Sequence, residues 1–367
     1  MKVLVTGSDG FIGKNLLVKL AENSIDYACF TRHQSTNDLP KLLENIDFVF
    51  HLAGVNRPLD AAEFTKQNFE LTLTLCDAIK QTGRSISVAF SSSIQATSNN
   101  PYGASKKSAE EALIRLNAST QSPIYLYRLP NVFGKWMRPN YNSVVATFCH
   151  NIAQGLPICI DDPSKIVPLL YIDDLLESFV HILSNPSPRV SRPTIKPEYS
   201  VSVGNLASQI QAFHKSRETL VTEEVGNGLT RALYATYLSY LKQEQFAYEV
   251  PAYTDSRGRF IEMLKTRDSG QFSFFTAHSG VTRGGHYHHT KSEKFLVLQG
   301  FARFGFRNIL TNEAFELTVD GLIPKIVETI PGWTHDITNI GENELIVILW
   351  ASEAFDRARP DTITNKV

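Results

Sequence analysis

Lys2-Val3-Leu4-Val5-Thr6-Gly7-Ser8-Asp9-Gly10-Phe11-Ile12-Gly13 runs a short apolar strand straight into Gly-x-x-Gly-x-x-Gly and a helix expected to reach Ala21. Each glycine has its own task in such a turn. Gly7 lets the chain reverse, Gly10 lets the backbone approach a pyrophosphate, and Gly13 lets the helix pack on the sheet. The unpaired N–H groups of the helix N-terminus then face the anion. A glycine triplet alone carries little information. Its place in the first strand–helix unit is what marks a dinucleotide turn.

Beyond the turn, strand and helix patterns alternate. Tyr27 to Phe30, Phe48 to Leu52, Ser87 to Phe90 and Ile124 to Tyr127 read as strands, and Glu63 to Gln81 and Tyr102 to Asn117 as helices. The alternation predicts an α/β Rossmann-like unit with a parallel sheet covered on both faces. Asn185 to Pro197, rich in Pro and Ser, reads as a surface excursion. After about Leu241 short alternating strands follow one another with glycine turns and no long helical pattern between them. They are Arg259 to Leu264, Phe272 to Thr276, Lys294 to Leu298, Ala302 to Arg307, Ala314 to Thr318 and Leu345 to Trp350. That pattern predicts an all-β barrel or sandwich. The expected organisation is residues 1–243 as a nucleotide-binding domain and 247–367 as a β domain, the boundary falling within Lys242 to Tyr248.

With 367 residues, 43% hydrophobic and 20% charged, the chain has the composition of an ordinary two-domain soluble protein. Thirty-six Lys and Arg against thirty-seven Asp and Glu leave a net charge of −1. No bulk field therefore attracts nucleic acid or an anionic membrane. The longest clean apolar run, Leu345 to Ala351, is far shorter than the roughly 20 residues of a membrane span. The opening strand leaves no room for a signal peptide. Cys29, Cys76, Cys149 and Cys159 form no CxxC pair, so reduced, buried thiols in a cytoplasmic protein are expected.

Two further features in the first half carry chemistry. The second strand ends Phe30-Thr31-Arg32-His33, with no carboxylate to take a ribose 2′-hydroxyl. Arg32 can instead fork onto a 2′-phosphate, which predicts NADPH. Tyr102-Gly103-Ala104-Ser105-Lys106 sets a phenol and an ammonium on one helix face, where the charge is expected to lower the phenol's pKa. Ser91-Ser92-Ser93, after the fourth strand, can supply a hydroxyl to a carbonyl oxygen.

These residues resemble the extended short-chain dehydrogenase/reductases from Met1 to about Leu241. The likeness includes the glycine turn, His51-Leu52-Ala53-Gly54, Asn68, Thr72, Ser93, the Tyr102/Lys106 pair and Arg128-Leu129-Pro130-Asn131-Val132-Phe133-Gly134. It implies Tyr102 as general acid, Lys106 holding the ribose, and Ser93 and Asn131 on the substrate. Gly7, Asp9, Gly10, Phe11, Ile12, Gly13, Arg32, Leu52, Ala53 and Gly54 would join Tyr102 and Lys106 around the cofactor. Sugar-nucleotide dehydratases of this family follow the serine with an Asp-Glu pair. Here Ile94-Gln95 follows Ser93 and cannot perform that elimination, which leaves a net redox step at a carbonyl. The short spacing from Ser93 to Tyr102 makes the intervening loop tight.

In the second half, His286-x-His288-x4-Glu293, with His335 after Pro331-Gly332, has metal-ligand spacing. Two positions apart on a strand, His286 and His288 share a face. Three imidazoles and a carboxylate suit a divalent metal, Zn²⁺ first, with Fe, Ni and Mn also compatible. Gly280, Gly300 and this spacing resemble the first cupin motif, implying a jelly-roll barrel. Asp255-Ser256-Arg257-Gly258-Arg259-Phe260-Ile261-Glu262 resembles cupin-fold epimerases acting on nucleotide-linked 4-keto-sugars. That likeness implies Arg257, Phe260 and Glu262 on the nucleotide-sugar and His286 as a base. The base role conflicts with metal ligation, since a ligating nitrogen has no free lone pair. Tyr287, His289 and Lys294 are further base candidates.

Taken together, the halves resemble the bifunctional CapF-type family of bacterial capsule and O-antigen synthesis. The resemblance implies C3 epimerisation of a UDP-linked 2-acetamido-2,6-dideoxy-4-hexulose and NADPH reduction at C4. The product would be UDP-2-acetamido-2,6-dideoxy-L-talose, on the way to N-acetyl-L-fucosamine. A homodimer is expected. A plain 4-keto-sugar reductase with a regulatory barrel and a non-catalytic nucleotide sensor are the alternatives.

Overall fold

Val3, Leu4 and Val5 are wholly buried, because the strand Lys2–Thr6 lies inside a six-stranded sheet. In this computed structural model the described residues are 1–58, 60–187, 189–250, 253–255, 258–260, 264–266, 270–353 and 358–367. The sheet runs in the order Asp26–Phe30, Lys2–Thr6, Phe48–His51, Ser87–Ser93, Ile124–Leu129, Val190–Ser191. Every neighbouring pair is parallel. The chain order reverses at Lys2–Thr6, so the crevice at the carboxyl ends of this strand and Phe48–His51 is the topological switch point where such sheets bind ligands. Helices Phe11–Glu22, Leu71–Gln81 and Pro101–Thr120 connect the strands. Leu75, Ile79, Leu113 and Leu116 belong to a core that includes Leu4, Val49, Val88 and Leu126.

Three local features depart from the sequence expectation. The excursion 185–197 contributes the sheet's last strand, Val190–Ser191, through two residues paired with Ile124 and Tyr125. The helix expected from Glu63 to Gln81 is interrupted by a π-helical stretch, Thr65–Glu70. Cys76 and Cys149 are buried as expected, but Cys29 is half-buried and Cys159 exposed.

The chain forms two compact units, 1–138 with 168–200, and 139–167 with 201–367. The second contains two five-stranded sheets. One runs Ala247–Glu249, Lys325–Glu328, Glu293–Gln299, Leu345–Ala351, Gln271–Ala277; the other runs Ala314–Asp320, Phe301–Asn308, Trp333–Asn339, Thr282–Tyr287, Ile363–Thr364. All their pairings are antiparallel. This is the jelly-roll architecture of the cupins. Phe295 meets Phe304 inside it, with ring centroids 5.8 Å apart. Phe246 packs edge-on against Trp333 at 5.1 Å. Helices Val144–Ala153, Val203–Thr219 and Gly228–Leu238 belong to the same unit as the barrel.

Candidate functional site

Gly7, with φ +71°, sits where a Cβ would lie 2.7 Å from the backbone nitrogen of Ala53. At Gly13 a Cβ would lie 2.3 Å from the Gly7 carbonyl oxygen. Glycine is therefore obligatory at both ends of the turn, where Gly7 abuts Leu52 and Ala53 and Gly13 packs the helix Phe11–Glu22 on Gly7 and Ser8. No side chain caps that helix and no acidic residue occupies its first turn, so the N-terminus keeps its donors for an anion. Asp9 and Gly10 are exposed beside it, and Phe11 and Ile12 half-buried. Arg32 is exposed just past the second strand.

His51 underpins this crevice. Its Nδ1 lies 2.8 Å from the Thr6 hydroxyl and its Nε2 2.9 Å from that of Thr72. The Thr72 hydroxyl already donates to the Asn68 carbonyl, at 2.6 Å. It must therefore accept from Nε2–H, which makes His51 a neutral Nε2–H tautomer. Burial, helped by Lys106, lowers its pKa to about 3 and keeps it so. Asn68, on the π-helical stretch, accepts from Val55 N–H at 2.8 Å and donates to the Ser105 hydroxyl at 3.0 Å. It thereby ties the glycine loop to the helix carrying Tyr102 and Lys106.

That helix begins at an Asn100 cap, whose side chain accepts from Gly103 N–H at 2.8 Å. Lys106 is buried, donates to the Ser91 carbonyl at 2.8 Å and stands 4.8 Å over the Phe90 ring. Burial lowers its pKa to about 8, against the pull of Glu110. The expected lowering of Tyr102 is not seen. Burial raises the phenol, and the opposing influence is a hydrogen bond to Ser93. The three serines divide their tasks. Ser91 donates to the His51 carbonyl, and Ser92 donates to Glu110, itself forked by Arg128. Ser93 accepts from Gln95 N–H at 3.1 Å and faces Tyr102. Asn131 is exposed, its amide donating to the Pro168 carbonyl at 3.0 Å.

The second unit brings His286, His288, Glu293 and His335 together, with one ligand atom from each within 4.8 Å of all the others. His286 and His335 are register partners on adjacent strands, next to a bulge at Gly284. His288 and Glu293 flank the turn into the next strand. Gly332 N–H donates to the His288 carbonyl at 2.9 Å, joining the segment before His335 to the first histidines. One Glu293 oxygen lies 3.2 Å from His288 Nε2 and 3.1 Å from His335 Nε2, yet neither buried nitrogen finds a hydrogen-bond partner. Burial pushes the Glu293 carboxyl up, but His288 and His335 hold it well below the usual range. Burial, with His335 and His288, lowers His286 to about 4. Three imidazoles and one carboxylate, each offering a ligand atom to the same small space, make a donor set that fits a divalent cation.

Of the other base candidates, Tyr287 and His289 alternate onto the opposite side from His286 and His288 and pack together at 5.6 Å. Lys294 is buried against Glu328 and lies 2.9 Å from the Tyr248 hydroxyl. Burial lowers its pKa, but Glu328 outweighs that and raises it well above the usual value. Arg257 and Glu262 lie outside the described residues, and Phe260 is placed only by its backbone, paired with Tyr253. Among the described residues no helix is long and apolar enough to cross a membrane.

Comparison with known proteins matches both halves. Residues 3–195 fit the NAD dependent epimerase/dehydratase family, and 253–363 the polysaccharide biosynthesis C-terminal domain. A UDP-2-acetamido-2,6-beta-L-arabino-hexul-4-ose reductase of Pseudomonas aeruginosa is 55% identical over all of this chain and 99% of its own length. The crystal structure of the capsular polysaccharide assembling protein CapF from Staphylococcus aureus aligns over the full length of both chains, with 36% identity and a TM-score of 0.67. MoeE5 in complex with UDP-glucose and NAD, 22% identical, shares the fold over 58% of this chain and 81% of its own, with a TM-score of 0.52. The chain belongs to the NAD dependent epimerase/dehydratase family, in the CapF-type group that joins such a unit to a cupin barrel.

Proposed function

We propose that the protein converts a UDP-linked 2-acetamido-2,6-dideoxy-4-hexulose in two steps. The barrel inverts C3, and the Rossmann-like unit then reduces C4 with NADPH, giving UDP-2-acetamido-2,6-dideoxy-L-talose for N-acetyl-L-fucosamine synthesis. The observation that carries this reading is that Ser93 closes the fourth strand while Tyr102 and Lys106 stand one turn apart on the helix Pro101–Thr120, whose Lys106 donates to the Ser91 carbonyl of that strand at 2.8 Å. The name of the Pseudomonas aeruginosa relative supports the keto-sugar and the reduction.

In this reading Ser93 donates a hydrogen bond to the C4 oxygen and Tyr102 delivers its phenolic proton there. Burial raises the phenol, so it is protonated at neutral pH and carries the proton to be delivered. Lys106 holds the ribose, and Arg32 takes the 2′-phosphate. Bound NADPH supplies the hydride. In the barrel, the C4 ketone acidifies the C3 proton, so inversion proceeds by loss of that proton and return from the other face. His286, His288, Glu293 and His335 would hold a divalent cation, Zn²⁺ first, and such an ion supplies Lewis-acid polarisation of a ketone oxygen. Arg257, Phe260 and Glu262 would contact the nucleotide-sugar. The protein acts in the cytoplasm as a homodimer.

The test is the nicotinamide absorbance of NADPH incubated with purified protein and the UDP-linked 4-keto-6-deoxy-HexNAc. Loss of absorbance with substrate, and none without, is expected. No loss would leave the sensor alternative standing. Reduction without hydrogen exchange at C3 would leave the plain reductase.

A further inference from the structure

Residues 361–367 run along the histidine cluster, meeting His286, His288 and Thr334 beside His335, without contributing one of its four side chains. The Asp361 carbonyl accepts a hydrogen bond from His288 Nδ1. The Asp361 carboxylate accepts three successive backbone N–H groups, from His289 at 2.8 Å, Thr290 at 2.7 Å and Lys291 at 2.6 Å. The Thr290 hydroxyl adds a fourth bond at 2.9 Å. The Lys291 ammonium donates to the Thr362 hydroxyl at 2.7 Å. The turn joining His288 to Glu293 is therefore organised around a carboxylate about 70 positions further along the chain.

The contacts continue past Asp361. Tyr287 and His286 pair with Ile363 and Thr364. Asn365 N–H donates to the Gly285 carbonyl at 2.8 Å, and the Thr334 hydroxyl, beside His335, donates to the Asn365 carbonyl at 2.7 Å. Arg307 anchors the segment by donating to the Asn365 side chain at 2.7 Å.

This pattern has a consequence for His288. A carbonyl is only an acceptor, so Nδ1 must carry the proton and Nε2 must present its lone pair. Nε2 is the nitrogen beside Glu293. A ligating imidazole whose other nitrogen donates in this way is fixed in tautomer and orientation and made more basic. We propose that 361–367 is a positioning strap for the metal centre, with Asp361 setting the tautomer of His288 and the turn between His288 and Glu293. This rests on the metal reading of the cluster.

The experiment uses the full chain, wild type and Asp361→Asn, with Zn²⁺ alone and Co²⁺ alone. Affinity is measured by chelator competition, and the Co²⁺ site by its visible absorption. Asp361→Asn keeps the side-chain size but sets an amide donor against backbone donors. It should weaken metal binding by about 10- to 100-fold and shift the Co²⁺ bands. A merely structural strap would lower the unfolding temperature of the metal-free protein and leave the metal affinity unchanged. That result, with normal uptake by the wild type, overturns the strap alone. No uptake of either ion by the wild type overturns the metal reading and the strap with it. A second measurement needs no variant. In Zn²⁺-loaded wild-type protein with ¹⁵N-histidine, His288 should show a slowly exchanging Nδ1 proton. An Nε2 proton there instead overturns the proposal.

Discussion

Lys294 and Glu328 form an ion pair whose side chains are only 2% and 1% exposed, and Arg217 closes on the second oxygen of the same carboxylate. Tyr234 donates to it as well, at 3.2 Å. Arg217 comes from the helix Val203–Thr219, whereas Lys294 and Glu328 stand on neighbouring barrel strands. One carboxylate thus joins a helix to the barrel within the second unit. Its guanidinium partner also lies 4.2 Å over the Tyr248 ring. Removing one partner of a buried pair strands the other charge, a larger effect than the net value of the pair.

Glu328→Gln should therefore cost about 3–5 kcal/mol, read as a lower denaturant midpoint at unchanged slope. The pH dependence has a definite sign. Burial raises the Glu328 carboxyl, but Lys294 and Arg217 bring it below its ordinary value. Its contribution is present above the unfolded carboxyl's pKa and is lost as pH falls through the folded one. Lys294 is raised well above its ordinary value. Its contribution is full below the unfolded amine's pKa and fades as pH climbs through the folded one. The variant should lose both arms of that profile.

Burial brings Lys106 down to about 8, so reduction should fall as pH rises through that value and the ammonium loses its proton. Lys106→Met should slow reduction at every pH. Lys106→Arg, which stays charged, should remove the alkaline limb from the activity that remains. Initial rates of NADPH oxidation across pH check both. A rate that stays level through pH 8 to 9 in the wild type would contradict the assignment.

Arg32→Ala should raise the KM for NADPH by about 10- to 100-fold, the value of a charged hydrogen bond. The KM for NADH should hardly move. Equal effects on the two cofactors would remove Arg32 from the 2′-phosphate.

The elements legible in the sequence are those whose signal is local. The glycine turn is readable because Gly7 and Gly13 are each required by a backbone a few residues away or by an adjacent strand. The dyad is readable because four positions make one helical turn. Thr282–Tyr287 is legible as a strand only through the shared face of His286 and His288, and Lys325–Glu328, Trp333–Asn339 and Ile363–Thr364 carry no legible strand signal. Gly284 and Gly285, both at positive φ, break the alternation of the first. In the third, His335 faces inward and reads as polar although it is buried. Asp361 was silent because its partners are mostly backbone N–H groups, which any sequence offers. Arg217 and Glu328 stand 111 positions apart, and each alone looks like a solvated charge. Val190–Ser191 is a two-residue strand in a proline-rich stretch, too short for a periodic signal.

The central claim is that two separate sites in one chain act in turn on the same keto-sugar. Its most direct test measures deuterium uptake at C3 from heavy water and NADPH consumption side by side, for wild type, Tyr102→Phe and Glu293→Gln. Tyr102→Phe should end NADPH consumption, by about 10²- to 10⁴-fold, and leave C3 exchange intact. Glu293→Gln should end C3 exchange and release the bound metal. If Tyr102→Phe also abolishes exchange, or Glu293→Gln leaves exchange at the wild-type rate, the two-site account is wrong.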